Sequence, residues 1–382
     1  MKRFSPLIVI AAFAAVLASC KAKQEDSDPE LMSYISPDPY ETVQVQSPDM
    51  SGEVRNIIFM IGDGMGLEQV SCAWTLNNGK LNLDNMPVVG LSRTYSSSRL
   101  ITDSAAGGTA LACGEKTANG HVGTDPDGNP LESLLDKAQA AGMKTGVAVT
   151  CLLYDATPAD FCCHDDDRYH YDEIVADYLE CGVDYIAGGG LDHFRELRED
   201  GRDIVDEMAR AGYNVALTRD ELMQGSLPLL GVLDSWNLPV ARERGDLFRD
   251  MVAKGIRELD AAAGGKGFVM MIEGSCIDDW LHENRIDLAM EELFDFDRTL
   301  GDVLEWAAAD GHTLVVVTAD HATGALTLQG GNLAKGQIRV AFGNESHNGI
   351  AVPYYVFGPG ADKFGGILEN AELGARIKSF IN

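Results

Sequence analysis

Carboxylate and imidazole side chains follow four apolar segments of this 382-residue sequence, at points where buried strands would end. They are Asp63 after NIIFMI (56–61), Asp155 after TGVAVT (145–150), Glu273, Asp278 and His282 after FVMMI (268–272), and Asp320 and His321 after TLVVVT (313–318). The carboxyl ends of parallel strands meet at one edge of a sheet, where ligands bind in open α/β folds. Carboxylate with imidazole suits zinc, whereas the all-oxygen set Asp63, Thr157 and Glu273 suits magnesium. The pattern predicts a divalent-metal site at this edge.

Single residues of this set also have simpler interpretations. Asp63 lies among glycines and suits a turn. Asp278 and His282 are four residues apart, which also suits a pair on a helix surface. His347, in the segment SHNG (346–349), is a lone loop histidine. Asp320 and His321 are more telling, because two polar groups directly after a buried strand need partners. The combination, more than any one residue, favours metals.

Ser104 stands in the segment TDSAAGG (102–108), which opens a run of small residues compatible with a helix. A serine at a helix start can simply cap the helix. It can also place its hydroxyl where backbone N–H groups and the helix dipole attract a phosphate. No G-x-S-x-G motif surrounds it, which disfavours an esterase triad. A metal could activate the hydroxyl instead.

Helical and apolar segments alternate from Val54 onward, which predicts an α/β fold. Helices are predicted over 131–141, 204–211 and 288–310, and further strands over 214–217 and 353–357. Buried strands separated by helices indicate a three-layer sandwich with a mostly parallel central sheet and helices on both faces. The more polar stretch at about 188–243 is interpreted as an insertion or cap.

The N-terminus predicts export. Lys2 and Arg3 precede an apolar run over 7–18 that has the length of a signal-peptide core and is short for a membrane span. The run ends in Leu-Ala-Ser-Cys, so we expect a lipoprotein signal over 1–19 and a lipid anchor on Cys20; a plain secretory signal is the alternative. Residues 20–52, rich in Asp, Glu, Ser and Pro, are interpreted as a tether, and 53–382 as the catalytic domain.

The net charge of −29 argues against nucleic acid as a partner. It also suits solubility and a supply of carboxylates for metals. Seven cysteines remain after Cys20, so at least one thiol stays free in an oxidising compartment, and the absence of a C-x-x-C pair disfavours a thiolate zinc site.

The chain resembles the alkaline phosphatase family over most of residues 54–382. The resemblance rests on six segments that stand in the family's order: IGDGMG (61–66), TDSAAGGTALACGEKTANG (102–120), DATPA (155–159), EGSCIDDWLH (273–282), TADHATG (318–324) and SHNG (346–349). It implies hydrolysis of small phosphate monoesters at a site with two Zn²⁺ and one Mg²⁺. Members are commonly dimers, so a homodimer is an expectation by analogy.

The resemblance also implies a role for each matched residue. Ser104 corresponds to the nucleophile that becomes phosphorylated, Arg168 to the arginine that binds phosphate, and Asp103 to a residue that orients this arginine. The implied ligands are Asp278, His282 and His347 for the first zinc, Asp63, Asp320, His321 and Ser104 for the second, and Asp63, Thr157 and Glu273 for magnesium. An alkaline pH optimum follows, because histidine ligands bind metals only when neutral.

Three alternative functions fit the sequence less well. A sulfatase would need a C/S-x-P-x-R context, which 102–108 lacks. A phosphodiesterase of the same superfamily would lack the Glu273, Thr157 and Arg168 set. A non-catalytic surface lipoprotein would be expected to have lost a ligand or the nucleophile. Asp155 and Asp279 depart from the family pattern around the third metal, which leaves the identity of that ion open.

Overall fold

The computed structural model describes residues 31–198 and 200–381. Its strands are β1 (Met32–Ile35), β2 (Asn56–Gly62), β3 (Val88–Arg93), β4 (Lys144–Leu152), β5 (Tyr185–Gly189), β6 (Asn214–Ala216), β7 (Leu229–Val232), β8 (Phe268–Gly274), β9 (Thr313–Thr318), β10 (Ala322–Thr323), β11 (Thr327–Asn332), β12 (Gln337–Ala341), β13 (His347–Asn348), β14 (Val352–Phe357) and β15 (Gly366–Glu369). Its α-helices are α1 (Leu67–Leu76), α2 (Ser104–Cys113), α3 (Leu134–Ala140), α4 (Ala156–Cys162), α5 (Tyr171–Asp177), α6 (Leu191–Arg195), α7 (Ile204–Arg210), α8 (Arg219–Gln224), α9 (Ala241–Arg244), α10 (Leu247–Ala262), α11 (Cys276–His282), α12 (Ile286–Asp310) and α13 (Asn370–Lys378).

The central sheet has the strand order β15-β3-β14-β9-β2-β8-β4-β5-β7-β6. Its neighbouring strands are parallel except at β14, which runs antiparallel to both β3 and β9. The strand β2 is buried along its whole length. Ile58 and Met60 belong to one hydrophobic core and Ile57, Phe59 and Ile61 to another, since successive side chains of a strand point to opposite faces.

Helices cover both faces of this sheet. Apolar side chains of α10 and α12 pack in the same core as Met60, including Ile256 and Leu293. Those of α2, α3 and α13 pack in the core that holds Phe59, including Leu111 and Leu373. The predicted three-layer, mostly parallel α/β sandwich is confirmed.

The prediction of an insertion or cap at 188–243 was wrong. Strands β5, β7 and β6, which lie in this stretch or begin just before it, extend the central sheet as parallel neighbours. Leu229 of β7 stands opposite Tyr185 of β5 on one side and opposite Asn214 of β6 on the other. These strands are short, and β5 ends in two glycines. A Cβ on Gly189 would lie 2.0 Å from the carbonyl oxygen of Trp236, so only glycine fits there. The prediction of a strand over 214–217 is confirmed by β6, whereas β5 and β7 were not predicted, because both are short and contain glycine.

The predicted tether at 20–52 was also wrong for its described part, 31–52. Strand β1 pairs antiparallel with β12 in a second sheet of order β1-β12-β11. Farther along, the backbone N–H groups of Tyr40 and Val43 donate to the side-chain amides of Asn77 (2.7 Å) and Asn82 (2.9 Å). Side chains of the domain thus hold the irregular part of 31–52 in place by hydrogen bonds to its backbone, so this segment shows no periodic pattern of apolar residues.

The predicted signal peptide and the lipid anchor on Cys20 lie outside the described residues. Among the helices that are described, none is both long enough and apolar enough to cross a bilayer.

Tyr40 fastens this segment to the domain. Its ring packs edge-on against Phe294 with 5.2 Å between centroids, and its hydroxyl donates to the carboxylate of Asp297. Asp297 is fully buried and also accepts from the backbone N–H groups of Asn82 (2.7 Å) and Leu83 (3.1 Å). The hydroxyl is therefore one of the donors that this buried carboxylate needs.

We predict that Tyr40→Phe lowers the free energy of unfolding by about 1–3 kcal/mol, because a buried charged acceptor loses one donor. Chemical denaturation at a fixed metal concentration measures the change. Tyr95→Phe is the matched control, since Tyr95 is 40% exposed, and it should change stability by less than about 0.5 kcal/mol. A Tyr40→Phe effect no larger than that of the control would contradict the anchoring role.

Candidate active site

The predicted site residues come together at the carboxyl edge of the central sheet. Asp63 follows β2, the helix α11 follows β8, and Asp320 follows β9. A cavity of about 780 Å³ opens at this edge. Among the candidates, its lining includes Asp63, Asp103, Ser104, Arg168, Asp278, His282 and His347.

Asp278, His282 and His347 form the first cluster, with ligand atoms that all lie within 4.8 Å of one another. The His282 Nε2 atom lies 3.0 Å from Oδ2 of Asp278 and 3.0 Å from Nε2 of His347. Nδ1 of His282 lies 2.7 Å from the carbonyl oxygen of Glu345, and Nδ1 of His347 lies 2.9 Å from the carbonyl oxygen of Thr102. A carbonyl only accepts, so each Nδ1 carries the hydrogen and each Nε2 of a neutral ring turns a lone pair inward.

Asp63, Asp320 and His321 form the second cluster, which is entirely buried. The Nε2 atom of His321 lies 3.0 Å from Oδ2 of Asp320, 3.5 Å from Oδ1 of Asp63 and 3.3 Å from Oγ of Ser104. Oδ1 of Asp63 accepts no hydrogen bond from the part of the chain that is described. Burial raises the pKa of Asp63 well above its usual range, and the charges of Asp320 and Asp278 raise it further.

Glu273 and Thr157 lie behind Asp63. In the register of β2 with β8, Glu273 stands beside Ile61, and the backbone N–H of Asp63 donates to the carbonyl of Gly274 at 3.3 Å. Burial raises the pKa of Glu273. The buried hydroxyl of Thr157 has no hydrogen-bond partner in 31–198 or 200–381. Oδ1 of Asp63 and the Thr157 hydroxyl thus lack hydrogen-bond partners among the described residues, and Glu273 adds a buried carboxylate that accepts from the Cys151 thiol.

These clusters fit divalent cations. Buried carboxylates and hydroxyls normally have hydrogen-bond partners, and here several have none. The first two clusters combine carboxylate oxygen with imidazole nitrogen, the donor set of zinc, and the third is all oxygen, which suits magnesium. A metal in either of the first two clusters would replace repulsion between lone pairs by coordination.

Ser104 is the first residue of α2 but does not cap it. The cap is Asp103, whose Oδ1 accepts from the backbone N–H of Ala106 at 3.0 Å and whose Oδ2 accepts from that of Gly120 at 2.8 Å. The simpler interpretation of Ser104 as a cap is therefore excluded. Its hydroxyl faces His321 across the second cluster.

Arg168 is not a surface ion pair, since its side chain is only 18% exposed and lines the cavity. Its guanidinium lies 2.8 Å from Asp155 and 3.8 Å from Asp103. Burial alone would lower the pKa of Arg168, but Asp155 and Asp103 raise it above its usual range. The orienting contact expected from Asp103 is present, and the closer one, from Asp155, was not predicted.

Thr323 and Asn237 were also missed by the sequence analysis. The Thr323 hydroxyl donates to Asp278 and lies 3.3 Å from Nδ1 of His321, so it connects the two clusters. Asn237 donates to Asp279 at 2.8 Å, and burial with the charge of Asp155 raises the pKa of Asp279 to about 7. Thr323 stands in the quoted segment TADHATG, which was the available signal; Asn237 stands in the stretch that was interpreted as a cap.

Comparison with known proteins agrees with this geometry. The sequence model of the alkaline phosphatase family matches residues 54–341. Alkaline phosphatase 4 of Bacillus subtilis is 35% identical over 295 residues, covering 72% of this chain, and this chain spans 63% of the length of that relative. Streptomycin-6-phosphate phosphatase of Streptomyces griseus is 30% identical, with 84% of this chain and 88% of that protein covered.

A solved structure gives the same result. A variant of the alkaline phosphatase of the Antarctic bacterium TAB5, in which a histidine is replaced by aspartate and Mg is bound in the M3 site, has a TM-score of 0.80 and 32% identity. The match covers 88% of this chain and 99% of that one. Shared motifs, shared fold and the matched family model place this chain in the alkaline phosphatase family.

Proposed function

We propose that this protein hydrolyses phosphate monoesters and that Ser104 is the nucleophile that becomes phosphorylated. The observation that carries the proposal is the convergence of one buried hydroxyl, two three-ligand clusters and a buried arginine on a single cavity. A hydroxyl in such a place is a candidate for activation by metals, and the arginine is a candidate for binding phosphate oxygens.

The proposed cofactors are two Zn²⁺ and one Mg²⁺. Asp278, His282 and His347 would hold the first zinc, and Asp63, Asp320, His321 and Ser104 the second. Asp63, Thr157 and Glu273 would hold the magnesium. When bound, these ions supply Lewis-acid stabilisation of the negative charge that develops during phosphoryl transfer.

The remaining chemistry is assigned to the chain itself. Arg168, held by Asp155 and Asp103, presents a planar fork that matches two phosphate oxygens. The free N–H groups at the start of α2 add positive potential beside Ser104. For attack on phosphorus, the Ser104 hydroxyl loses its proton to solvent and its oxygen forms the new P–O bond, while the bond from phosphorus to the ester oxygen breaks on the opposite side and that oxygen takes up a proton from solvent as the alcohol leaves. Water then hydrolyses the phosphoserine, which releases phosphate and restores the hydroxyl.

Asp155 and Asp279 bear on the third ion. Both line the cavity, and the charge of Asp155 raises the pKa of both Glu273 and Asp279. The TAB5 variant that binds Mg in its M3 site carries an engineered acidic residue, which supports magnesium as the third ion in this chain.

We also propose the cellular setting expected from the sequence. The chain is exported, anchored in a bacterial cell envelope by a lipid on Cys20, and acts on small phosphate monoesters. Nucleic acid is not a partner, and the homodimer remains an analogy with the family.

Zinc affinity should depend on pH. The hydrogen bond that protonated His282 donates to Asp278 is the main cause that raises the pKa of His282 from 6.5 to about 9, so the metal-free protein holds a proton there that zinc must displace. The pair of protonated His282 and Asp278 stabilises the metal-free fold below about pH 6.5, and this contribution is lost as the pH rises through 9. We predict that zinc affinity increases from pH 6 to pH 9 by up to about tenfold per pH unit. Competition with a chelator measures it, and an affinity independent of pH would contradict the assignment.

Ser104→Ala should abolish turnover without emptying the site. We expect phosphate release from an aryl monoester to fall by roughly 10³-fold or more, because the nucleophile is lost. Elemental analysis should still find the metals, since the other ligands of each cluster remain. Ser71→Ala, on the exposed surface of α1, is the matched control and should keep full activity.

The same assay separates the rival functions. The unmodified protein should hydrolyse the monoester faster than a diester or a sulfate ester, and a chelator should stop it. Preference for the diester or the sulfate ester, or full activity of Ser104→Ala, would overturn the proposed function.

A further inference from the structure

The cavity at the candidate active site is much larger than a phosphate. Its volume of about 780 Å³ falls in the range that holds a drug-sized molecule, on the order of 300–1,000 Å³. Ser104 and Arg168 account for the phosphoryl group at one place on its lining. The remaining space is available to the alcohol part of a monoester, which is the leaving group.

Three exposed side chains with large apolar surfaces line this space. Leu100, Ile101 and Tyr169 line the cavity and are 77%, 42% and 68% exposed, respectively. We call these three side chains the apolar rim. Large apolar side chains that stay exposed inside a functional cavity mark a surface for apolar ligands.

The apolar rim lies beside the first ligand cluster. The carbonyl of Thr102, next to Ile101 in the chain, accepts from Nδ1 of His347 at 2.9 Å. A Cβ built on Gly349 would lie 3.6 Å from Cγ of Leu100, so the loop of His347 also reaches the rim. A leaving group that extends past the first cluster would therefore meet Leu100 and Ile101.

Arg99 adds a positive charge to the same cavity. It lines the cavity, and its guanidinium has no ion pair or hydrogen bond with the residues that the structure describes. Arg168 differs in this respect, because Asp155 and Asp103 hold it. A solvent-facing guanidinium without a carboxylate partner, in a chain of net charge −29, is available to an anionic group of a ligand.

We propose that Arg99 and the apolar rim form a leaving-group subsite. It favours phosphate monoesters whose alcohol part has an apolar or aromatic body and carries a second negative charge. This proposal rests on the proposed phosphomonoesterase function and names its substrate class. Arg99 binds the second charge, and Leu100, Ile101 and Tyr169 cover the apolar body.

The test compares kcat/KM for three substrates: phenyl phosphate, 4-carboxyphenyl phosphate and ethyl phosphate. Each variant is compared with the unmodified protein on the same substrate, so differences in leaving-group reactivity cancel. Arg99→Gln should lower kcat/KM for 4-carboxyphenyl phosphate by about twofold to fivefold, the range of an exposed ion pair, and leave phenyl phosphate unchanged. The loss should shrink at high salt.

Leu100→Ser tests the apolar contribution. It should lower kcat/KM for both aryl substrates by about threefold to tenfold and leave ethyl phosphate nearly unchanged, because only the larger groups cover the rim. Leu100 is 77% exposed, so its replacement should not impair folding. Arg210→Gln and Leu333→Ser are the matched surface controls and should change none of the three values.

Failure of the subsite is distinguishable from failure of the function. Absence of phosphate release from every monoester would overturn both. An equal loss on all three substrates in Arg99→Gln, with weaker inhibition by inorganic phosphate, would show that Arg99 serves the phosphoryl group and would overturn the subsite alone. A Leu100→Ser variant that changes the sedimentation coefficient but no substrate preference would make the rim an interface between copies, which would also overturn it.

Discussion

Histidine nitrogens and carboxylate oxygens lie close together at one edge of the central sheet. At such short distances their lone pairs and negative charges repel one another unless cations or protons compensate them. Two histidine nitrogens lie 3.0 Å apart with the carboxylate of Asp278 beside them, and Asp63 and Asp320 meet His321 in a fully buried cluster. Protons can relieve only part of this crowding, whereas divalent cations relieve it at every cluster. The rest of the site depends on that compensation, because a hydroxyl such as Ser104 is inert toward phosphorus without it.

Contacts with the rest of the chain hold the candidate ligands in place. Carbonyls of Glu345 and Thr102 set the histidine tautomers of the first cluster, and Thr323 connects Asp278 with His321 in the second. Asp103 both caps α2 and faces Arg168, so the proposed nucleophile Ser104 and the proposed phosphate-binding Arg168 share one support. Such preorganisation lowers the cost of assembling the site during catalysis. The proposed leaving-group subsite is different, since its side chains are exposed and Arg99 has no ion pair with any described residue.

The sequence predicted the parts of this structure that local chemistry determines. Strands buried on both faces, such as β2 and β9, appear as unbroken apolar runs, and the ligands follow them directly. The short strands β5 and β7 have no such run and were not predicted, whereas β6 was. The segment around Tyr40 is held by side-chain amides of distant residues. The contacts of Thr323, Asn237 and Asp155 could not be predicted from the sequence either, because they depend on which chain segments meet in space. His347 was identified only because the segment SHNG stands at its place in the order of the family's motifs; no local sequence pattern would have selected it.

The most direct test of the central claim is anomalous X-ray diffraction at the zinc absorption edge, on crystals grown with zinc and magnesium. Two zinc peaks are expected, one among Asp278, His282 and His347 and one among Asp63, Asp320 and His321 within reach of Ser104. Side chains of these residues should stay as they are, with the cations between them. Peaks elsewhere, or these six side chains turned apart with no ion between them, would contradict it.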